Sequence, residues 1–129
     1  MGLINVSASF EPKELKAYSK NEAVMTLRLE NTDPGKTYWC ECDVKVDRPL
    51  SLEHDGELLQ GRTRVGILPP HGTKEKQIRL YTGTNSVPDE YVLNITAYAY
   101  DEDGAVSDRM ESRSILQCVE AKSAGGPGM

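Results

Sequence analysis

The side chains of this chain best suited to chemistry are Cys40, Cys42, Cys118, His54 and His71, and their spacing decides which chemistry is open to them. Thiolate and imidazole together make a soft-metal site, so a C-x-C pair at Cys40 and Cys42, completed by Cys118 or a histidine, would suit zinc or copper. Against this, the sequence lacks the C-x-x-C and H-x-x-x-H spacings of structural zinc, and small buried thiols are ordinary core residues. Residues two apart on a strand share a face with side chains roughly 7 Å apart, too far for an easy disulfide. An odd, sparse cysteine set therefore predicts free thiols in a reducing compartment.

Other candidate motifs resolve to plainer readings. Asp101-Glu102-Asp103-Gly104 begins like a calcium loop, but Ser112 stands where the loop needs its bidentate glutamate, so a plain turn is expected. His54 and His71 sit beside glycine-containing turns with no serine or cysteine placed as nucleophile. G-x-S-x-G, Walker and dinucleotide signatures are absent, so neither catalysis nor a cofactor is expected. Asn5-Val6-Ser7 and Asn94-Ile95-Thr96 fit the glycosylation pattern, which matters only on an exported chain.

The elements that must position these residues are strands. Tyr91, Leu93, Ile95, Ala97 and Ala99 alternate with Val92, Asn94, Thr96, Tyr98 and Tyr100, which puts five apolar groups on one face of a central strand. Ala23 to Leu29 alternates as strongly. From Tyr38 to Val46 the phase follows from cost: Glu41, Asp43 and Lys45 belong to water, so Tyr38, Cys40, Cys42, Val44 and Val46 face the core. Weaker strands are expected over Ile4–Phe10, Arg62–Leu68 with Val65 and Ile67 on one face, Lys76–Leu80, and Ser112–Val119. Leu15 and Ala17 continue the first strand after a kink at Pro12. Short strands separated by Gly, Pro and Asn turns imply an all-β antiparallel sandwich of about seven strands over residues 1–120. Residues 121–129, rich in Ala, Gly, Ser and Pro, are expected to form a flexible tail.

A net charge of −5, with no long Lys/Arg cluster, argues against nucleic acid as a partner. No apolar run approaches the roughly 20 residues of a membrane-spanning helix. The first ten residues lack the basic region and apolar core of a secretory signal, so a cytoplasmic location is expected.

Phe10-Glu11-Pro12, Met25 to Asn31, Gly66-Ile67-Leu68-Pro69-Pro70 and Glu90 to Ala97, in that order, resemble immunoglobulin-like sandwiches of the CARDB and fibronectin type III kind. The resemblance spans roughly Ile4 to Val119. It implies a binding, spacing or adhesion module, and a tyrosine corner in which the Tyr91 hydroxyl caps backbone just upstream. The chain departs from antibody-type domains in lacking their paired cysteines, and its Trp39 falls on the charged face.

That departure supplies the candidate site. If the Tyr38–Val46 and Tyr91–Tyr100 strands are antiparallel neighbours, Trp39 lies beside Tyr98 and Tyr100 on the solvent face, edged by Glu41 and Asp43. Clustered exposed rings are the usual anchors of a protein contact, with a second copy of the chain among the candidate partners. The readings kept open are thus a non-catalytic binding or assembly module using this face and a small soft-metal-binding protein using Cys40, Cys42 and Cys118.

Overall fold

The computed structural model describes residues 3–120; the tail expected over 121–129 lies outside the described residues. The strands are β1 (Ile4–Glu11), β2 (Glu14–Lys16), β3 (Asn21–Asn31), β4 (Tyr38–Val46), β5 (Gln60–Leu68), β6 (Thr73–Thr82), β7 (Asp89–Tyr100) and β8 (Val106–Val119). They form a three-stranded sheet in the order β1-β3-β6 and a five-stranded sheet in the order β2-β8-β7-β4-β5. The count rises above seven because the kink at Pro12 is a change of sheet. β1 pairs antiparallel with β3, whereas β2 crosses to the larger sheet and pairs with the end of β8, the one parallel pairing among the described strands.

One face of each long strand supplies the core. Met25, Leu27 and Leu29 of β3 pack toward Leu93, Ile95 and Ala97 of β7, all at most 1% exposed. Burying each of the larger side chains is worth about 1.5–3 kcal/mol. The expected phase of β4 is the observed one: Tyr38, Cys40, Cys42, Val44 and Val46 are buried, and Glu41, Asp43 and Lys45 point the other way. The Tyr91 hydroxyl donates to the Val87 carbonyl four residues upstream, which is the tyrosine corner. Burial, and then Cys118 nearby, push that hydroxyl's pKa up, so it stays protonated as the bond requires.

Two expectations about strand faces are corrected. β8 begins at Val106, six residues earlier than expected, because Asp101-Glu102-Asp103-Gly104 closes a tight hairpin. Asp101 Oδ1 accepts from the backbone N–H of Asp103 (2.9 Å) and of Ala105 (3.0 Å), so that carboxylate is consumed by the turn. Val65 and Ile67 do not share a face. Cys40 pairs with Gly66 but Glu41 pairs with Arg64, so a β-bulge at Val65–Gly66 shifts the alternation by one residue. Beyond it Leu68 is fully buried and Ile67 stands 57% exposed beside Trp39.

At the end of the sandwich carrying the β3–β4, β5–β6 and β7–β8 connections, Asn31 is a buried amide linking two loops. Its Nδ2 donates to the carbonyls of Lys36 (2.8 Å), Leu68 (3.0 Å) and Pro69 (3.1 Å), and its Oδ1 accepts from Asp33 N–H (2.9 Å). Asp108, on the inner side of β8, accepts from the backbone N–H of Leu3 and Ile4, fastening the start of β1 to the opposite sheet.

Candidate functional site

The outer face of the larger sheet is laid out by register. Across the strands, Ile67, Trp39 and Tyr100 form one row; Arg64, Glu41, Tyr98 and Arg109 the next; Arg62, Asp43, Thr96 and Glu111 the third; and Gln60, Lys45, Asn94 and Arg113 the fourth. The pairing brings together the residues the sequence nominated: Trp39 opposes Tyr100, and Glu41 opposes Tyr98.

The rings touch. Trp39 and Tyr100 have centroids 5.3 Å apart at 44°, and Tyr98 and Tyr100 stack at 6.4 Å. Such pairs contribute about 0.5–1.5 kcal/mol beyond their buried area. They are nevertheless only half-buried, and arginines that the sequence did not nominate cover them. The Arg62 guanidinium lies 4.6 Å from the Tyr98 centroid, Arg109 lies 6.0 Å from the same ring, and Arg64 lies 5.5 Å from the Trp39 ring. A cation on a partly exposed ring face gains about 0.5–1 kcal/mol and keeps its charged edge in water. Trp39, expected among exposed rings on the solvent face, is on that face but half-buried, with Arg64 over it.

The carboxylates on this face are engaged. Glu41 accepts from the Tyr100 hydroxyl at 3.2 Å and sits 3.8 Å from Arg62. Asp43 accepts from Gln60 Nε2 at 2.8 Å. Glu111 pairs with Arg109 at 2.9 Å. Burial and the Glu41 charge raise the pKa of Tyr100, keeping its hydroxyl a donor. Two hollows complete the face. A small one of about 160 Å³ is lined by Trp39, Ile67 and Tyr100, and a larger one of about 390 Å³ lies among Lys45, Asn94, Thr96, Glu111 and Arg113.

The cysteines do not assemble into a second site. Cys40 lies opposite Ala99 and Cys42 opposite Ala97, while Cys118 lies opposite Asp89 at the far end of the same strand. At about 3.3 Å per residue, Cys118 is some 25–33 Å from the other two. His54 stacks edge-on against Tyr81 at 5.2 Å in the β4–β5 connection, and His71 sits in the β5–β6 turn. The soft-metal reading using Cys40, Cys42 and Cys118 is therefore overturned by register, and the described residues hold no group of three or more His, Cys, Asp or Glu placed to bind a metal. All three thiols are unpaired and buried. Burial pushes Cys40 up to about 11, helped by Asp108, and Cys42 up to about 12, helped by Cys40. Thiolate is the reactive form, so an aromatic disulfide reagent at pH 8 is expected to leave both unmodified in native protein and to titrate three thiols after denaturation without reductant. Fast native modification of Cys40 or Cys42 would contradict their placement.

With this geometry in view, the fold has clear counterparts among solved structures. A Bordetella pertussis protein given the name ApaA superimposes with a TM-score of 0.56 at 14% identity, over 89% of this chain and 91% of that one. The CARDB domain of a Pyrococcus furiosus protein, solved in complex with di-metal ions, superimposes with a TM-score of 0.53 at 14% identity over 91% and 90%. The fold is an immunoglobulin-like β-sandwich, similar in architecture to that CARDB domain. The BcpA major pilin subunit of Bacillus cereus matches with a TM-score of 0.57 at 8% identity, over 91% of this chain and 40% of the pilin. At such identities the likeness concerns the fold alone. No protein-family model and no curated protein sequence matches the chain. Among the described residues no helix is long and apolar enough to cross a membrane.

Proposed function

We propose that this immunoglobulin-like domain is a non-catalytic binding or assembly module whose contact surface is the outer face of its larger sheet, centred on Trp39, Tyr98 and Tyr100. The observation that carries this is the combination of three half-buried rings with three guanidinium groups laid over them on an otherwise open sheet. Tyr, Trp and Arg are the residue types over-represented at interface hot spots, because rigid rings and planar cations contribute large contact area for little lost side-chain entropy. The shallow hollows suit a protein surface better than an enclosed small molecule. Unpaired, buried thiols favour a reducing compartment such as the cytoplasm.

Truncating Trp39 tests the reading. On a sheet face outside the core, Trp39→Ala is expected to cost about 1 kcal/mol of stability through lost ring pairing, while weakening partner binding or self-association about tenfold or more. Equilibrium denaturation measures the first; cross-linking of partners to wild-type and variant chain, with sedimentation of the chain alone, measures the second. Trp39 emission should be intermediate and quenchable by acrylamide. A blue, unquenchable indole together with unfolding on Trp39→Ala would place the ring in the core and remove this surface as the site.

A further inference from the structure

Beyond the Trp39 row, the contact face carries charge of the sign opposite to the chain. Those rows present Lys45, Arg62, Arg64, Arg109 and Arg113 against Glu41, Asp43 and Glu111, on a protein whose net charge is −5, while Asp101 and Glu102 border the hollow at the Trp39 end. The three carboxylates are each already engaged within the face, by Tyr100 and Arg62, by Gln60 and by Arg109. Among the described residues, Lys45, Arg64 and Arg113 have no carboxylate within ion-pair distance.

Lys45 and Arg113 occupy the same row on either side of Asn94. Two strand spacings separate them, roughly 10 Å, and the hollow of about 390 Å³ lies between them over a floor of Asn94 and Thr96. A carboxylate entering there meets the Lys45 ammonium on one side, the Arg113 guanidinium on the other and the Asn94 amide below, with Glu111, the one carboxylate in the lining, held by Arg109. Six residues away along β4, roughly 20 Å, the hollow beside Trp39, Ile67 and Tyr100 offers a mainly apolar seat bordered by Asp101 and Glu102, which suits an uncharged side chain and not a carboxylate. Arg64 lies between the two hollows with its charged edge free.

Resting on the reading of this face as a protein contact, we propose that its occupant is an extended acidic segment of a partner protein. Such a segment lies along the strands, with an apolar or aromatic side chain beside Trp39 and carboxylates between Lys45 and Arg113. A span of roughly 20 Å corresponds to about six extended residues. The complementarity steers an acidic segment to this face against the repulsion of the rest of the molecule, and makes the contact sensitive to salt.

The test uses the full chain and dye-labelled hexapeptides read by fluorescence anisotropy. The probe is acetyl-Phe-Gly-Ser-Glu-Asp-Glu-amide, made in both residue orders, beside its Gln-Asn-Gln counterpart. The acidic probe, in one order, is expected to bind about tenfold or more tighter than the neutral one at low salt, and to lose that advantage in the Lys45→Glu, Arg113→Glu double variant. A control double variant, Lys13→Glu with Arg28→Glu, makes the same change of net charge at exposed positions away from this face and should leave binding within about twofold.

Equal binding of acidic and neutral probes, both lost on Trp39→Ala, would overturn the acidic specification and leave the protein-contact reading standing. Acidic binding indifferent to Trp39→Ala would remove that reading together with this one. An equal loss in the control variant would show general charge attraction rather than a site. Inorganic phosphate competing at the probe's own affinity would reduce the hollow to an anion site. Self-association of the chain abolished by Lys45→Glu would make the occupant a second copy. Each of these results overturns the proposal.

Discussion

Replacing Asn31 by aspartate is expected to lower the unfolding free energy by about 4 kcal/mol, a large part of the 5–15 kcal/mol typical of a domain. Asn31 is 0% exposed, and its amide nitrogen donates to three carbonyls, of Lys36, Leu68 and Pro69. Aspartate puts an oxygen in place of that nitrogen, so three acceptors face a fourth that also carries charge away from water. Alanine at the same position should cost about 2–3 kcal/mol, since it leaves the carbonyls unsatisfied without adding repulsion. The two variants separate by pH. Burial raises the folded-state pKa of the new carboxyl above its unfolded value near 4, so its protonated form, able to donate one bond, is favoured in acid. The Asn31→Asp deficit should therefore grow as pH rises above about 4, whereas the Asn31→Ala deficit should not. Urea denaturation between pH 4 and 7 measures both; a pH-independent Asn31→Asp loss below about 1 kcal/mol would mean that the amide is not the link between these loops.

How much of this was legible in the sequence depends on how each residue's face is decided. In β3, β4 and β7 alternation alone suffices, because a slip of one residue would drive Glu41 or Asp43 into the core in exchange for Cys40 or Cys42. The neighbouring of Trp39 with Tyr98 and Tyr100 followed from strand order once the sandwich was inferred. The arginines covering those rings did not. Arg62 and Arg64 come from β5 and Arg109 from β8, and only the cross-strand register tells which ring each one meets. The early part of β8 was hidden for another reason. β2 pairs only with residues 117–119, so the outer edge of β8 before Gln117 is uncovered and Val106 to Glu111 carries polar groups on both faces. The metal alternative failed because spacing along the chain cannot show that Cys118 sits at the opposite end of the sheet from Cys40. Asn31 heads the turn-forming run Asn31-Thr32-Asp33-Pro34-Gly35, and nothing local distinguishes a turn asparagine from one buried beneath two loops. The bulge did leave a signal, since a glycine inside a strand pattern is a mark of a bulge, and Gly66 stands where the alternation changes.

Gly66→Val is expected to destabilise the protein by about 2–3 kcal/mol while leaving the face otherwise arranged as it is. Gly66 has φ of 129°, a region in which a side chain clashes with its own backbone. An added Cβ would also lie 2.9 Å from Lys74 Nζ, but that is the far end of a flexible side chain and can move aside. The cost is thus backbone strain, and the chain could relieve it by giving up the bulge. Relief would move Leu68, now 0% exposed, out of the core and bring Ile67 in. Exposing a buried leucine costs about 1.5–3 kcal/mol before any repacking loss, and Leu68 and Pro69 are further held through their carbonyls by Asn31. Retaining the strained bulge is the cheaper course, so the variant should keep Ile67 beside Trp39. Denaturation should show the stability loss with an unchanged m-value, and Trp39 emission and acrylamide quenching should match wild type. A red-shifted, more readily quenched indole would instead report that the bulge had gone, and with it the hollow beside Trp39, Ile67 and Tyr100.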